Sequence, residues 1–206
     1  MPEIFKWPAD RELPGEFLSR LKESADLGGL FVYPTNTLYG LGASIRSEEA
    51  VRALFELKSR PRDVPLPVMA NAAQLKELCA VPDIFRPFLE SCDTRITAIL
   101  PSGNPAPAAL VHRGTLAVRL PCSRLTSSLV GFLGPVTSTS ANLHGLPTPG
   151  NADGLVAQFG DRVSFYIDSG TLAGQPTTLI DFTGAEPKII REGALSREEM
   201  GRYDER

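Results

Sequence analysis

The sequence Phe-Val-Tyr-Pro-Thr-Asn-Thr-Leu-Tyr-Gly-Leu-Gly, at residues 31–42, anchors the interpretation of the whole chain. It begins as an apolar run that suits a buried β-strand, and Pro34 ends that run. Two threonine hydroxyls and an asparagine amide follow, and two glycines close the stretch. In α/β proteins a ligand crevice forms where a buried strand ends in a polar turn that contains glycine. An ordinary turn after a strand is the alternative, and this stretch alone favours neither.

The bulk composition is that of a globular protein with a sizeable core, because 42% of the 206 residues are hydrophobic and 22% are charged. The net charge of -3 argues against binding nucleic acid or membranes through bulk charge, but it is compatible with a local basic groove. No apolar run reaches the roughly 18 residues of a membrane-spanning helix. The N-terminus lacks the features of a signal peptide. We therefore expect a cytoplasmic protein without a membrane partner.

The cysteines and histidines predict no metal site. Cys79, Cys92 and Cys122 are widely spaced and form no Cys-x-x-Cys pair, so neither a structural zinc site nor a disulfide framework is expected. His112 and His144 stand in no metal-ligand spacing, and surface or loop positions suit both.

Helical and strand patterns alternate along the chain and predict an α/β fold. The predicted helices lie near residues 14–27, 47–58, 71–78, 82–89, 125–132 and 155–159. The predicted strands lie near residues 30–33, 66–70, 96–100, 116–120, 136–138, 165–168, 178–182 and 188–191. Some connections are too short for a crossover helix, so we predict a twisted mixed sheet flanked by helices.

Two further stretches offer groups that bind nucleotides. Residues 58–65, Lys-Ser-Arg-Pro-Arg-Asp-Val-Pro, hold three cations in a proline-stiffened segment, although a solvated helix C-terminus has the same composition. Residues 138–142, Ser-Thr-Ser-Ala-Asn, follow a short strand and can bind a base, ribose or phosphate, although they also suit a simple turn. The phosphate-binding loop signature is missing, and Ile45 stands where the third glycine of a dinucleotide fingerprint belongs.

Six stretches taken in order resemble the motifs of the YrdC/Sua5 family. They are residues 34–42 (the Pro-Thr-Asp/Glu-Thr-x-Tyr-Gly-Leu opening), 58–61 (Lys-x-Arg), 117–121 (Ala-Val-Arg-x-Pro), 140–142 (Ser-x-Asn), 177–181 (Ser-Thr-Val-Val-Asp) and 191–194 (Arg-Pro-Gly-Ala). The resemblance covers about residues 15–195, and six ordered motifs are far more specific than any one of them. It implies a YrdC-like fold with a concave groove. It also implies the short, single-domain form of the family over residues 1–206, since longer members carry a further C-terminal domain.

The resemblance also implies an activity. Such enzymes are L-threonylcarbamoyladenylate synthases, which are nucleotidyltransferases that make threonylcarbamoyl-AMP and pyrophosphate from L-threonine, bicarbonate and ATP with Mg2+. Their product supplies the machinery that transfers the threonylcarbamoyl group to N6 of adenosine 37 in tRNA (t6A). The implied partners therefore include that machinery, and tRNA or double-stranded RNA in the groove.

Site residues follow from the matched positions. Lys58 and Arg60 are implied to be the catalytic cations on the ATP phosphates. The other implied ATP contacts are Thr115, Ser140, Asn142, Thr148 and Arg191. The implied threonine contacts are Thr37, Arg119, Ser138 and Thr177. Because nearly all reactants carry charge, positioning and charge neutralisation are expected to dominate over covalent catalysis, with Mg2+ bridging the phosphates.

The chain departs from the family pattern in four places. Asn36 stands where Asp or Glu is usual, Val64 replaces a polar or basic residue, and Met69 stands where some members have a histidine. The common Pro-Gly-Pro is replaced by Asp-Thr-Arg at residues 93–95. A paralogous group shares Arg-Glu-Gly with this chain but tends to lack intact Lys-x-Arg and Ser-x-Asn elements. Both elements are intact here, which favours activity.

Two other functions use the same residues differently. A non-catalytic RNA-binding module, acting in tRNA or ribosome maturation, would use the cations at positions 58, 60, 62, 119 and 191 but would need no pocket for a small amino acid. An adenylate-forming relative would act on another amino acid.

We predict that Lys58→Ala or Arg60→Ala abolishes nucleotide binding while the fold stays intact. Each charge-assisted hydrogen bond to a phosphate contributes on the order of 1.5–3 kcal/mol. Titration with ATP measures the loss, and circular dichroism checks the fold. Unchanged ATP affinity in both variants would contradict the phosphate assignment.

Overall fold

A computed structural model describes residues 2–59, 66–91, 93–103 and 106–200, and it confirms the α/β class. The helices are α1 Gly15–Asp26, α2 Glu48–Leu57, α3 Ala72–Leu78, α4 Arg86–Ser91, α5 Arg124–Leu133, α6 Ala152–Phe159 and α7 Arg197–Met200. The strands are β1 Glu3–Lys6, β2 Phe31–Tyr33, β3 Gly40–Gly42, β4 Val68–Met69, β5 Ile96–Pro101, β6 Thr115–Arg119, β7 Val136–Thr137, β8 Thr139–Ser140, β9 Phe165–Asp168, β10 Thr178–Asp181 and β11 Lys188–Arg191. Within these ranges, no helix has the length and apolarity that a membrane span requires.

The strands form two mixed sheets, where the sequence predicted one. The first sheet has the order β1-β9-β2-β3-β8, with parallel pairing from β1 to β2 and antiparallel pairing from β2 to β8. The second sheet has the order β11-β10-β5-β6-β4-β7 and alternates between antiparallel and parallel pairs. Neither sheet can be assembled from neighbouring strands alone, because β9 pairs with β1 and β2 and β10 pairs with β5.

One short segment joins the two sheets. β7 pairs in the six-stranded sheet, β8 pairs in the five-stranded sheet, and only Ser138 lies between them. The amide of Thr137 donates to the carbonyl of Ala43 at 2.9 Å, and the Thr137 hydroxyl accepts from the amide of Ala43 at 2.8 Å. The amide of Ser138 donates to the carbonyl of Pro67 at 2.7 Å. The segment is therefore bonded to both sheets, and it forms the floor of the space between them.

The helix ends follow the local signals in the sequence. Ser47 caps α2 by accepting from the amide of Ala50, and Asn71 forms a capping box at the start of α3, as predicted. Gly134 ends α5 with a φ of +84°, a backbone conformation that suits glycine. Hydrophobic faces of α1 and α5 pack together in one of the two core clusters.

Four strands and helices were not predicted: β1, β3, β8 and α7. The most informative is β3, because its glycines resemble a turn in the sequence. In the sheet, Gly40 pairs with Tyr33 and Gly42 pairs with Phe31. An added Cβ on Gly42 would lie 2.3 Å from the Phe31 ring, so the aromatic rings fill the space that strand side chains normally occupy. Cross-strand packing therefore explains a strand that glycine-based turn rules exclude.

We predict that Gly42→Ala lowers the free energy of unfolding by about 1–3 kcal/mol, because the buried ring of Phe31 cannot move aside without disturbing the core. Urea denaturation measures the change. The matched control is Gly131→Ala in the interior of α5, where an added Cβ meets nothing within 4 Å. That control should be neutral or stabilise by up to about 1 kcal/mol. Equal destabilisation by both variants would contradict the packing explanation.

Candidate functional site

A cavity of about 560 Å³ opens between the two sheets. Its walls come from the turn after β2, from β5 and β6 and from the strands near the C-terminus. They also come from residues 136–140, the segment that joins the two sheets, here called the crossing segment. The lining residues include Thr35, Thr37, Thr97, Arg119, Ser138, Ser140, Leu146, Pro147, Thr148, Thr177 and Arg191. Segments that are far apart in the sequence therefore meet at one site, which suits a small ligand with several polar groups.

All four residues implied to contact threonine line this cavity: Thr37, Arg119, Ser138 and Thr177. Each is buried, with at most 7% of its surface exposed. The hydroxyls of Thr177 and Thr97 lie 2.7 Å apart and share a hydrogen bond. The result is a niche lined by hydroxyl groups, with one guanidinium at its wall.

Two buried polar atoms of this niche have no hydrogen-bond partner among the described residues, namely Nε of Arg119 and Oγ of Ser138. Such an atom costs on the order of 1–3 kcal/mol when it is left unbonded, so native structures usually satisfy it. Nη2 of Arg119 donates to Oδ1 of Asn36 at 3.0 Å, and no ion pair found in the described part of the chain includes Arg119. The charge of the guanidinium is thus not neutralised by any carboxylate of the described residues, and the carboxylate of a ligand would complement it.

Two buried tyrosines support the site as neutral groups. Burial raises the pKa of Tyr33 to about 12; Ser138 and Arg119 oppose the shift in part, although the Ser138 hydroxyl makes no hydrogen bond of normal geometry to it. Tyr33 donates to the carbonyl of Thr137 at 3.0 Å. Burial also raises the pKa of Tyr39 to about 12, and its hydroxyl donates to the carbonyl of Gly170 at 2.7 Å. Both stay protonated near neutral pH, so they brace the crossing segment and the first turn.

Lys58 is buried, with 3% of its surface exposed, and does not line the cavity. Its Nζ donates to the carbonyl oxygens of Ser140 and Asn142, at 2.5 and 3.0 Å, and to Oδ1 of Asn142 at 3.2 Å. The Ser140 hydroxyl also donates to Oδ1 of Asn142, at 2.6 Å. In this structure Lys58 therefore fixes the Ser-x-Asn loop, and Asn142 lies behind the cavity wall with it.

The remaining predicted residues divide into three groups. Ser140, Thr148 and Arg191 line the cavity, and Nη2 of Arg191 donates to the carbonyl of Thr177 at 2.9 Å. Thr115 does not line it: its hydroxyl donates to the carbonyl of His112 at 2.7 Å, at the start of the strand that carries Arg119. Arg60, with Arg62 and Val64, lies outside the described residues.

Several lining residues had no distinct signal in the sequence. Thr35 was part of the quoted stretch, and its hydroxyl donates to the carbonyl of Leu38 at 2.6 Å, which shapes the first turn. Thr97 lies on β5, where the surrounding apolar residues predict a core position and do not indicate that it lines a cavity. Leu146 lines the cavity although half of its surface is exposed. Only the strand pairing brings these residues to one site.

The described cavity wall contains arginines and hydroxyl groups but no carboxylate. No group of three or more potential metal-binding side chains occurs within the ranges described. Mg2+ prefers carboxylate and phosphate oxygens, so these residues do not fit a resident Mg2+ site. A magnesium ion in this cavity would be held by the phosphates of a bound nucleotide.

Known proteins share this architecture. A family model for Sua5, YciO and YrdC proteins, described as "Telomere recombination", matches residues 23–193. The threonylcarbamoyl-AMP synthase of Pyrococcus abyssi is 34% identical over 179 residues, covering 84% of this chain and 53% of that protein. The structure of P. abyssi Sua5 complexed with L-threonine matches with a TM-score of 0.88 and 30% identity, over 98% of this chain and 60% of that one. Escherichia coli YciO matches with a TM-score of 0.85 and 26% identity, over 94% of this chain and 97% of that one.

The fold and the cavity define an α/β protein with a polar cavity between two mixed sheets. The chain belongs to the Sua5/YciO/YrdC family, because the family model matches most of its length. It spans little more than half the length of the Pyrococcus protein and nearly all of YciO. The membership that the six motifs predicted is thereby confirmed.

We predict that Lys58→Ala lowers the free energy of unfolding by about 2–4 kcal/mol, because two loop carbonyls lose a charged donor and a buried side chain is truncated. This loss was not expected from the sequence, which predicted an intact fold. Lys22→Ala is the control, since Lys22 is exposed and pairs with Asp26 on its own helix. Its effect should stay within about 0.5 kcal/mol. Urea denaturation that gives equal values for the two variants would contradict the bracing role of Lys58.

Proposed function

We propose that this protein is an L-threonylcarbamoyladenylate synthase, which makes threonylcarbamoyl-AMP and pyrophosphate from L-threonine, bicarbonate and ATP. ATP enters as its magnesium complex. The single observation that carries the proposal is the niche with two unbonded buried atoms, Nε of Arg119 and Oγ of Ser138. Membership of the family and the likeness to a Sua5 structure complexed with L-threonine support it.

The niche suits threonine in size and in chemistry. Arg119 at the cavity wall pairs with the α-carboxylate, since a guanidinium is a good partner for a carboxylate. The hydroxyls of Thr37, Ser138 and Thr177 are available to the ammonium and the side-chain hydroxyl. A purely RNA-binding surface needs exposed cations, whereas only 6% of the surface of Arg119 is exposed. Burial of Arg119 therefore favours the amino-acid site over the RNA-binding alternative.

The reaction proceeds in two steps. Bicarbonate loses water to give CO2 after taking up a proton, the neutral amine of threonine attacks the carbon of CO2, and the resulting carbamic acid releases a proton to solvent to leave the carbamate. A carbamate oxygen then attacks the α-phosphorus of ATP, and the bond to pyrophosphate breaks. Arg119 keeps the threonine carboxylate away from the reacting atoms, and Arg191 at the cavity wall neutralises phosphate charge. Both groups act by positioning and electrostatics.

We propose that the product passes to the machinery that forms t6A at position 37 of tRNA. A mixed anhydride of this kind is an activated acyl donor, and it needs a downstream nucleophile. The proposed partners are therefore tRNA and the transfer machinery. Arg191, which is exposed at the cavity wall, is the cation that RNA in the groove would meet.

We predict that purified protein with ATP, bicarbonate and Mg2+ releases pyrophosphate and forms threonylcarbamoyl-AMP with threonine, but not with serine or valine. Mass spectrometry identifies the product. Release with a different amino acid would favour the adenylate-forming alternative. No release with any amino acid, together with binding of tRNA, would favour the RNA-binding module.

Arg119→Met should raise KM for threonine roughly 10- to 100-fold, because a charged hydrogen bond to the carboxylate is lost. Arg124→Met is the control, since Arg124 is exposed and pairs with Glu12. The control should leave KM unchanged. A similar KM in both variants would contradict the assignment of Arg119 to the carboxylate.

A further inference from the structure

We infer that Asn36 and Thr94 act together as positioning residues for Arg119, forming a neutral bridge between the two sheets at the threonine niche. We call these two residues the clasp. The inference rests on the proposed function, because it assigns the role of Arg119 as the carboxylate-binding group. Both residues lie at positions where the chain departs from the family pattern, so the clasp concerns this chain's own residues.

Hydrogen bonds connect the clasp to Arg119 from two sides. Nδ2 of Asn36 donates to Oγ1 of Thr94 at 3.0 Å and to its carbonyl oxygen at 3.4 Å. Oδ1 of the same amide accepts from Nη2 of Arg119 at 3.0 Å, and Nη2 also reaches the Thr94 carbonyl at 3.5 Å. The asparagine amide therefore uses both of its ends, which fixes the amide orientation. The Arg119 guanidinium is thereby held at Nη2 beside the cavity that Arg119 lines.

The clasp joins parts of the molecule that are distant in the sequence. Asn36 lies in the turn between β2 and β3, which belong to the five-stranded sheet. Thr94 lies just before β5, and Arg119 ends β6, both in the six-stranded sheet. The backbone amide of Asn36 also donates to Sγ of Cys122, at 3.2 Å, just beyond β6. The first turn is thus tied to the opposite sheet beside the niche.

The carboxylate of Asp93, next to the clasp, pairs with Arg95, and no ion pair of the described residues includes Arg119. Asp93 is the carboxylate beside Thr94, and Arg95 engages it through its backbone amide at 2.9 Å, Nε at 3.1 Å and Nη2 at 2.8 Å. Arg95 also bonds to Glu199 of α7 at 2.6 Å. An amide oxygen orients a guanidinium without cancelling its charge. Arg119 therefore faces the niche in one orientation with its full positive charge, which selects ligands with a free carboxylate.

The experiment measures steady-state kinetics of Asn36→Ala and Thr94→Val with threonine and ATP varied separately. Each variant should raise KM for threonine by roughly 2- to 10-fold, the range expected for one neutral hydrogen bond. KM for ATP and kcat should stay within about 2-fold of the original protein. Thr94→Ser, which keeps the accepting hydroxyl, is the matched control and should restore the original KM for threonine.

The double variant gives an independent readout. If both residues act through one bridge to Arg119, then Asn36→Ala/Thr94→Val should raise KM for threonine by about as much as the stronger single variant. Multiplying effects would overturn the inference, and so would an unchanged KM for threonine or an equal rise in KM for ATP.

The outcomes separate this inference from the proposed function. If the original protein forms no threonylcarbamoyl-AMP, the proposed function fails, and calorimetric titration with threonine alone then tests the clasp. Weaker threonine binding by Asn36→Ala than by Thr94→Ser would support the clasp in that case. An active original protein whose clasp variants keep the same KM for threonine would overturn the clasp and leave the function standing.

Discussion

The structure depends on the five-residue passage from β7 to β8, where the chain leaves one sheet and enters the other. Thr137 bonds to Ala43 through both its backbone and its side chain, and the next amide bonds to Pro67. These bonds hold the two sheets together, and the one residue between β7 and β8 leaves little freedom for the sheets to move apart. A cavity between sheets keeps its shape only if such a connection is rigid, so the binding niche depends on these bonds.

Fixed polar groups then shape the cavity wall. Lys58 lies behind the wall and donates hydrogen bonds to two carbonyl oxygens of the Ser-x-Asn loop. These bonds hold the loop in the position in which Ser140 lines the cavity. The clasp does the equivalent for Arg119 at the opposite wall. In both places a cation is oriented by neutral oxygen acceptors. This arrangement keeps positive potential available to anionic substrates, in a protein whose net charge is -3.

Much of the fold was predictable because its signals are local. The signals for the helix caps at Ser47 and Asn71 lie within a few residues of each helix start. The strand Phe165–Asp168 likewise follows from its own residues. The glycines of β3 were interpreted as a turn, because glycine is uncommon inside strands. They form a strand here because Phe31 and Tyr33 of the neighbouring strand fill the space beside them. The division into two sheets was likewise not predictable, since it depends on which distant strands pair.

For the site, the sequence by itself determined the family and the chemical types of the binding groups, because six ordered motifs keep their residues in fixed local spacing. It also identified Thr37, Arg119, Ser138 and Thr177, which the fold brings to one niche. Only the tertiary structure decided that Lys58 braces a loop, that Thr115 lies away from the cavity, and that Asn36 reaches Thr94. The physical reason is that these contacts join residues more than 50 positions apart or depend on where a strand ends, and such distances are set by sheet pairing.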